Sequence, residues 1–232
     1  MLVKVLRKLW RPIGVVVDAL TDIHYGVQTG GYHPLAKILP AGHEAKYCVW
    51  YQPTPWFVAR IAIQHLPINF GQFWFVDYGS GKGRVILVAS TFPFRRVVGV
   101  ELSSILHNQA LRNIRTWTAM KRHKVVPESI CMDARDFDPP FEPVVAFFFT
   151  PFKGPVFEAV ISKFARPERM RIPTIITYYG ANPACLQYCR NLHWYECCIT
   201  PPRNLMDFAQ YRLHYFSNNA DMLPAPTGYH RD

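Results

Sequence analysis

The chain has 232 residues, half of them hydrophobic, with 26 Lys and Arg against 16 Asp and Glu, a formal charge of +10. That length suits one domain with some decoration and a sizeable core, and no apolar run is long enough to span a membrane. The charge favours an anionic partner, either nucleic acid or a lipid surface, with solubility alone as the simpler alternative.

Residues 1–20 alternate basic and apolar side chains. Lys4, Arg7, Lys8 and Arg11 fall on one helical stripe, with Val3, Leu6, Leu9 and Trp10 mostly elsewhere. Pro12 and Gly14 weaken any single long helix. The segment reads either as an interfacial helix on an anionic membrane surface or as a flap packed on its own domain. Residues 24–34, HYGVQTGGYHP, and 47–56, YCVWYQPTPW, form two aromatic loops rich in Gly or Pro. A helix over 57–66 follows, ended by Pro67.

Residues 73–101, FWFVDYGSGKGRVILVASTFPFRRVVGVE, organise the rest. They predict a strand over 73–76, a glycine turn, a helix from 84 to 90 and a second strand over 97–100 closed by Glu101. Ser103 or Ser104 can cap a helix to about 120, with Leu106, Ala110, Leu111 and Ile114 at helical spacing. Further strands are expected at 128–132, 144–149 and 172–179, with helices at 155–164 and 184–192. Strands at 195–200 and 210–217 could pair antiparallel. This order implies an α/β fold with a mainly parallel sheet covered on both faces. The chain divides into an extension over 1–50 that could act as a lid, a main domain over 51–218, and a loose tail over 219–232.

No secretory leader is evident, so reduced thiols and a cytoplasmic location, with peripheral membrane contact as the variant, are the expectation for the six cysteines. Cys185, Cys189 and His193 are spaced four apart, but the close CxxC pairs usual for zinc are missing. Small buried thiols are the simpler reading, and no metal is expected.

Ligands of open parallel sheets bind beyond the carboxyl ends of the strands. Several strands end here in polar or aromatic residues: Asp77, Glu101, Asp133, then Thr150-Pro151-Phe152, and Tyr178-Tyr179. The turn D-x-G-x-G-x-G is neither G-x-G-x-x-G nor a Walker loop, because Arg84 and Gly83 stand at the deciding positions. A carboxylate at Glu101 can accept both hydroxyls of a ribose, and Asp133 can accept an exocyclic amino hydrogen. Asp77 would repel a phosphate and suits a cationic ligand. Together they describe a nucleoside pocket without a pyrophosphate clamp. Tyr25, Tyr51, Trp56, Phe152, Tyr178 and Tyr179 could wall it against a cation. No dedicated base stands out; His24, His33 and His65 are candidates by residue type alone.

FVDYGSGKGRV, GVE, CMDA and FFFTPF together resemble the class I S-adenosylmethionine-dependent methyltransferase family, over about residues 51–217. HYGVQTGG and YQPTPW are similar to loops of a group of poorly characterised bacterial methyltransferases that carry GSGKGR. More distantly the chain resembles the seven-strand protein-lysine methyltransferases. The resemblance implies a Rossmann-like, seven-stranded sheet with its last strand antiparallel, and S-adenosyl-L-methionine as cofactor. It implies that Asp77, Gly79 and Gly81 line the methionine end, with Ser80, Gly83 and Tyr51 in the same cofactor-binding set. Glu101 would hold the ribose, and Asp133 with Ala134 the adenine. Thr150, Pro151 and Phe152 match the positions where amino-methylating members carry Asn or Asp, then Pro-Pro and an aromatic; these three and Tyr178 are the catalytic candidates. Thr in place of an amide or acid argues against DNA-adenine methylation. The implied reaction is in-line methyl transfer to a nucleophile, best a protein side-chain amine, with RNA or a small molecule as alternatives. A non-catalytic binding module or a peripheral membrane module is the competing class.

Overall fold

The structure is a computed structural model and describes residues 14–43, 45–201 and 211–225. The strands are β1 (Trp74–Tyr78), β2 (Arg96–Glu101), β3 (Glu128–Cys131), β4 (Val144–Phe148), β5 (Thr174–Gly180), β6 (Tyr195–Ile199) and β7 (Arg212–Ser217). The helices are α1 (described over 14–24), α2 (Leu35–Ile38), α3 (Trp56–Gln64), α4 (Arg84–Ala89), α5 (Ser104–Ala119), α6 (Pro155–Ser162) and α7 (Pro183–Arg190). The seven strands form one sheet in the order β3-β2-β1-β4-β5-β7-β6. Only β7 runs antiparallel to its neighbours, β5 and β6. This is the Rossmann-like arrangement the sequence implies.

Alternation along the central strands builds two cores. Phe75, Val145, Phe147 and Ile175 face the side covered by α3 and α4, where Ile114 and Trp117 of α5 join them. Val76, Tyr78, Ala146, Phe148 and Ile176 face α6 and α7. Every residue of β4 is buried, as a strand covered on both faces requires. Tyr78 stacks on Phe148 with centroids 4.7 Å apart. The chain leaves β1 toward β2 and β3, then returns to β4 on the other side of β1. That reversal opens a crevice beyond the carboxyl ends of β1 and β4.

Three local expectations shift. Helix α7 starts at Pro183 because the Asn182 side chain caps it, accepting from the N–H groups of Ala184 and Cys185. Strand β5 begins after Pro173, which has no N–H to give a ladder. The described part of the expected loose tail is packed. Asn219 caps a single 3-10 turn, Ala220–Met222, and Met222 is buried in the α3 core. Met222→Ala should therefore cost about 2–3 kcal/mol of unfolding free energy in a urea titration; an unshifted midpoint would show that this turn carries no stability. Residues 226–232 of that tail, and residues 1–13, lie outside the described residues.

Candidate active site

The glycine turn after β1 takes the shape the sequence demands. Gly79 and Gly81 have φ of 76° and 56°, a region open to glycine at little cost. They also admit neighbours: a Cβ on Gly79 would overlap Pro151, and one on Gly81 would overlap the Tyr51 ring. The turn is thus packed against the end of β4 on one side and the second aromatic loop on the other.

A cavity of about 560 Å³ lies in the crevice. Asp77, Gly79 and Ser80 line it from β1, and Glu101 and Ser103 from β2. Asp133 and Ala134 line it after β3, and Phe149, Thr150, Pro151 and Phe152 after β4. The loop over 47–54 covers it, with Tyr47, Trp50 and Tyr51 among its side chains. Two isolated bridges hold that cover: His33 with Tyr51, and Cys48 with Phe152. The extension therefore forms one wall of the cavity.

Glu101 is 7% exposed, and both its oxygens are fixed by backbone donors. The Gly81 N–H donates to Oε2 at 2.7 Å and the Ser103 N–H to Oε1 at 2.8 Å. Burial raises its pKa, opposed by those N–H groups and that of Leu102. Asp77 is 3% exposed, and burial and the Glu101 charge act on its carboxyl with no hydrogen bond from the described residues to offset them. Its pKa is pushed well above the ordinary value, by burial first and by the Glu101 carboxylate second. An unpaired buried carboxylate beside another is costly, and a cation in the cavity would relieve it. Ser80 Oγ and Ser103 Oγ are buried without a hydrogen-bond partner in the same walls, Ser80 Oγ lying against Gly99 of β2.

Asp133 is more committed than its sequence position suggests. Arg135 grips both its oxygens, with Nη2 at 2.7 Å, and His43 Nε2 lies 3.3 Å away. Burial raises its pKa, but the hydrogen bonds and charge of Arg135, with His43, outweigh it and hold the carboxyl below its ordinary value. A ligand amino group would share this carboxylate with Arg135.

The catalytic candidates separate. Pro151 and Phe152 stand on the cavity wall. Thr150 does too, with a strained φ of 40°, but its hydroxyl turns toward β5. It donates to the Tyr179 carbonyl at 3.2 Å and lies 3.3 Å from the Tyr178 hydroxyl. The expectation that this hydroxyl would accept from a substrate amine gives way to a role in fixing the strand end. Tyr178 is fully buried among α6 and α7 side chains and does not line the cavity. Of the expected aromatic wall only Tyr51 and Phe152 line it; Tyr25, Trp56 and Tyr179 pack into the α3 core instead. Gly81 and Gly83 stand behind the wall, Gly81 as a donor to Glu101 and Gly83 as the N-cap of α4. His24, His33 and His65 do not line the cavity. Cys185 and Cys189 are buried thiols, and no group of metal ligands occurs among the described residues.

Arg84 is the residue that sequence reasoning missed. It is 2% exposed and lines the cavity. Its Nε donates to Thr29 Oγ1 at 2.7 Å, Nη1 to Asp18 and to the Thr54 carbonyl, and Nη2 to Asp22 at 3.3 Å. Asp22 also accepts from the N–H groups of Thr29 and Gly30 and from Trp56 Nε1. Lys82 Nζ donates to the Gly30 carbonyl at 2.6 Å, and Tyr51 donates to the Thr29 carbonyl at 2.6 Å. The extension is thus clamped to the glycine turn. The spacing of Asp18 and Asp22, one helical turn apart beside an apolar stripe, was the available signal. His43, Arg135 and Phe149 sit in loops whose meeting nothing local announces.

No family model matches this chain, and no curated protein matches it. Among solved structures it is similar to the precorrin-6y C5,15-methyltransferase of Geobacter metallireducens, with a TM-score of 0.50 and 13% identity over 78% of this chain and 93% of that one. It is also similar to the geranyl diphosphate C-methyltransferase of Streptomyces coelicolor, with a TM-score of 0.49 and 13% identity over 82% and 89%. An RNA methyltransferase of Salinibacter ruber gives 0.43 and 16% over 75% and 99%. At these identities the likeness is one of fold.

Proposed function

We propose that this protein is a class I S-adenosylmethionine-dependent methyltransferase. The observation that carries the reading is the pair Asp77 and Glu101, both buried at the carboxyl ends of the neighbouring strands β1 and β2, beside the β1–β4 crevice. Asp77 is unpaired and asks for a cation; Glu101 is pre-set by two backbone donors and keeps lone pairs for hydroxyls. The residues present fit the cofactor: Asp77 and Glu101 line the cavity as an acidic pair, and the positive-φ Gly79 and Gly81 let the turn close beside it. The methyltransferase fold likeness supports the reading without carrying it.

When bound, S-adenosylmethionine supplies a methyl group activated by its sulfonium. Asp77 would hold positive charge, Glu101 the ribose, and Ala134 with Asp133 the adenine end. The cover over 47–54 would narrow access of water, and Pro151 and Phe152 would position the acceptor, since alignment is most of what such a displacement needs. The acceptor side of the wall, with Tyr47, Trp50, Phe149 and Phe152, suits an amine and its alkyl stem. A protein side-chain amine is therefore the acceptor we favour over RNA or a small molecule.

Calorimetric titration with S-adenosylmethionine and S-adenosylhomocysteine tests the cofactor. Silence toward both at about millimolar ligand would sink the proposal. Glu101→Ala should weaken binding more than about tenfold, the scale of a hydrogen bond to a charged group. Labelled-methyl transfer in a lysate tests the acceptor: label released by protease supports a protein, and label released by nuclease transfers the assignment to RNA.

A further inference from the structure

Helix α1 has two unlike faces. Asp18 and Asp22 turn inward to Arg84 and are buried. Val16, Leu20 and Ile23, spaced i, i+4 and i+7, turn outward and are 53%, 59% and 74% exposed. Val15 and Val17 are exposed beside them. Exposed apolar residues gathered on one helix face mark an interaction surface.

Its charge surroundings are one-signed. Both acids of the described helix are withdrawn into the clamp. At its carboxyl end Arg122 lies 3.4 Å from His24 and over the Tyr25 ring, and Lys121, Arg122 and Lys124 are exposed. In the sequence just before it stand Lys4, Arg7, Lys8 and Arg11, with no acidic residue before Asp18.

We infer that α1 docks its outer face on an anionic lipid surface. Val16, Leu20 and Ile23 would enter the boundary between headgroups and acyl chains, while Lys121, Arg122 and Lys124 meet phosphates. A second copy of this chain fits poorly, because pairing two such faces would set basic clusters against each other. No described helix is long and apolar enough to cross a membrane, so the mode is in-plane. Through Arg84 the helix is tied to the cavity wall at Thr54. Docking would therefore bring the cavity to within about one helix diameter, ~10 Å, of the surface.

Sedimentation of the full chain with vesicles tests this. The protein should partition onto phosphatidylglycerol–phosphatidylcholine vesicles, less so at high salt, and at least about tenfold less onto pure phosphatidylcholine. Leu20→Gln/Ile23→Gln should lower partitioning onto the anionic vesicles by at least about tenfold. The urea midpoint should stay unchanged, since both side chains face outward. Point changes are cleaner than deleting residues 1–20, which would remove Asp18 from the clamp. Equal partitioning of variant and wild type, no binding of wild type to anionic vesicles, or equal binding to both vesicle types would each overturn the inference. A dimer in ultracentrifugation that the same substitutions dissolve, without vesicle binding, would give the face to a second copy. Cofactor affinity, measured separately, is independent of all these outcomes.

Discussion

Arg84→Met should destabilise the protein by about 3–5 kcal/mol, the usual cost of removing one partner from a buried ion pair. The side chain is 2% exposed, and its nitrogens bond Asp18, Asp22, Thr29 and the Thr54 carbonyl. Met fills much of the volume, so packing loss is small. What remains is two carboxylates in a half-closed site without their cation. Asp18 already has a raised pKa, through burial first, with the Arg84 charge opposing. Without Arg84 that opposition is gone, so the folded carboxyl would bind its proton more tightly. Such a group costs stability above its folded pKa and stops doing so below its unfolded one. The penalty of Arg84→Met should therefore shrink as pH falls through the folded pKa of Asp18. Urea titrations across pH would show it, and limited proteolysis should cut residues 14–33 sooner than in the wild type. A wild-type midpoint in the Met variant would mean that the clamp does not hold the extension. Arg84→Lys should fall between, because an ammonium cannot reach the four acceptors as a fork does.

The same clamp shows where a sequence stops being legible. The glycine turn could be read because a left-handed backbone leaves a local mark, and Gly79 and Gly81 carry it. Glu101 could be read because a strand end places its residue by itself. The sheet followed most clearly from β4, whose unbroken apolar run admits little besides burial on both faces. Arg84 sits in the next residues and left no such mark. An arginine opening an apolar helix looks like a solvated terminus until Asp18 and Asp22, far back in the chain, are folded over it. Thr150 and Tyr178 erred for the converse reason. Their positions at strand ends were right, but side-chain direction depends on a strained φ and on what α6 and α7 already fill. Met222 and Leu223 in the tail are a lone apolar pair, a signal too brief to outweigh the prolines that follow.

Asp77→Asn should separate binding from stability, moving them in opposite directions. In the protein without ligand, the carboxyl is buried beside Glu101, and its folded pKa stands well above the ordinary 3.8. The folded state therefore holds this proton more tightly than the unfolded chain does. Stability from this group is fully present below the unfolded pKa and is lost as pH rises through the folded one. Asn keeps the shape and drops the charge, so the ligand-free variant should melt higher than the wild type near neutral pH, with a flatter dependence on pH. Cofactor binding should go the other way. Removing one partner of a buried charge contact costs about 2–5 kcal/mol, so affinity for S-adenosylmethionine should fall by roughly thirtyfold or more. Wild-type affinity should also weaken as pH falls through the folded pKa of Asp77, because a protonated carboxyl no longer attracts a cation. S-adenosylhomocysteine then locates the contact, since it keeps the α-ammonium and lacks the sulfonium. An equal loss for both ligands places Asp77 at the ammonium, and a loss confined to S-adenosylmethionine places it at the sulfur. A variant that melts lower when empty and binds both ligands as the wild type does would make Asp77 a structural acid and remove the main support for the proposed site.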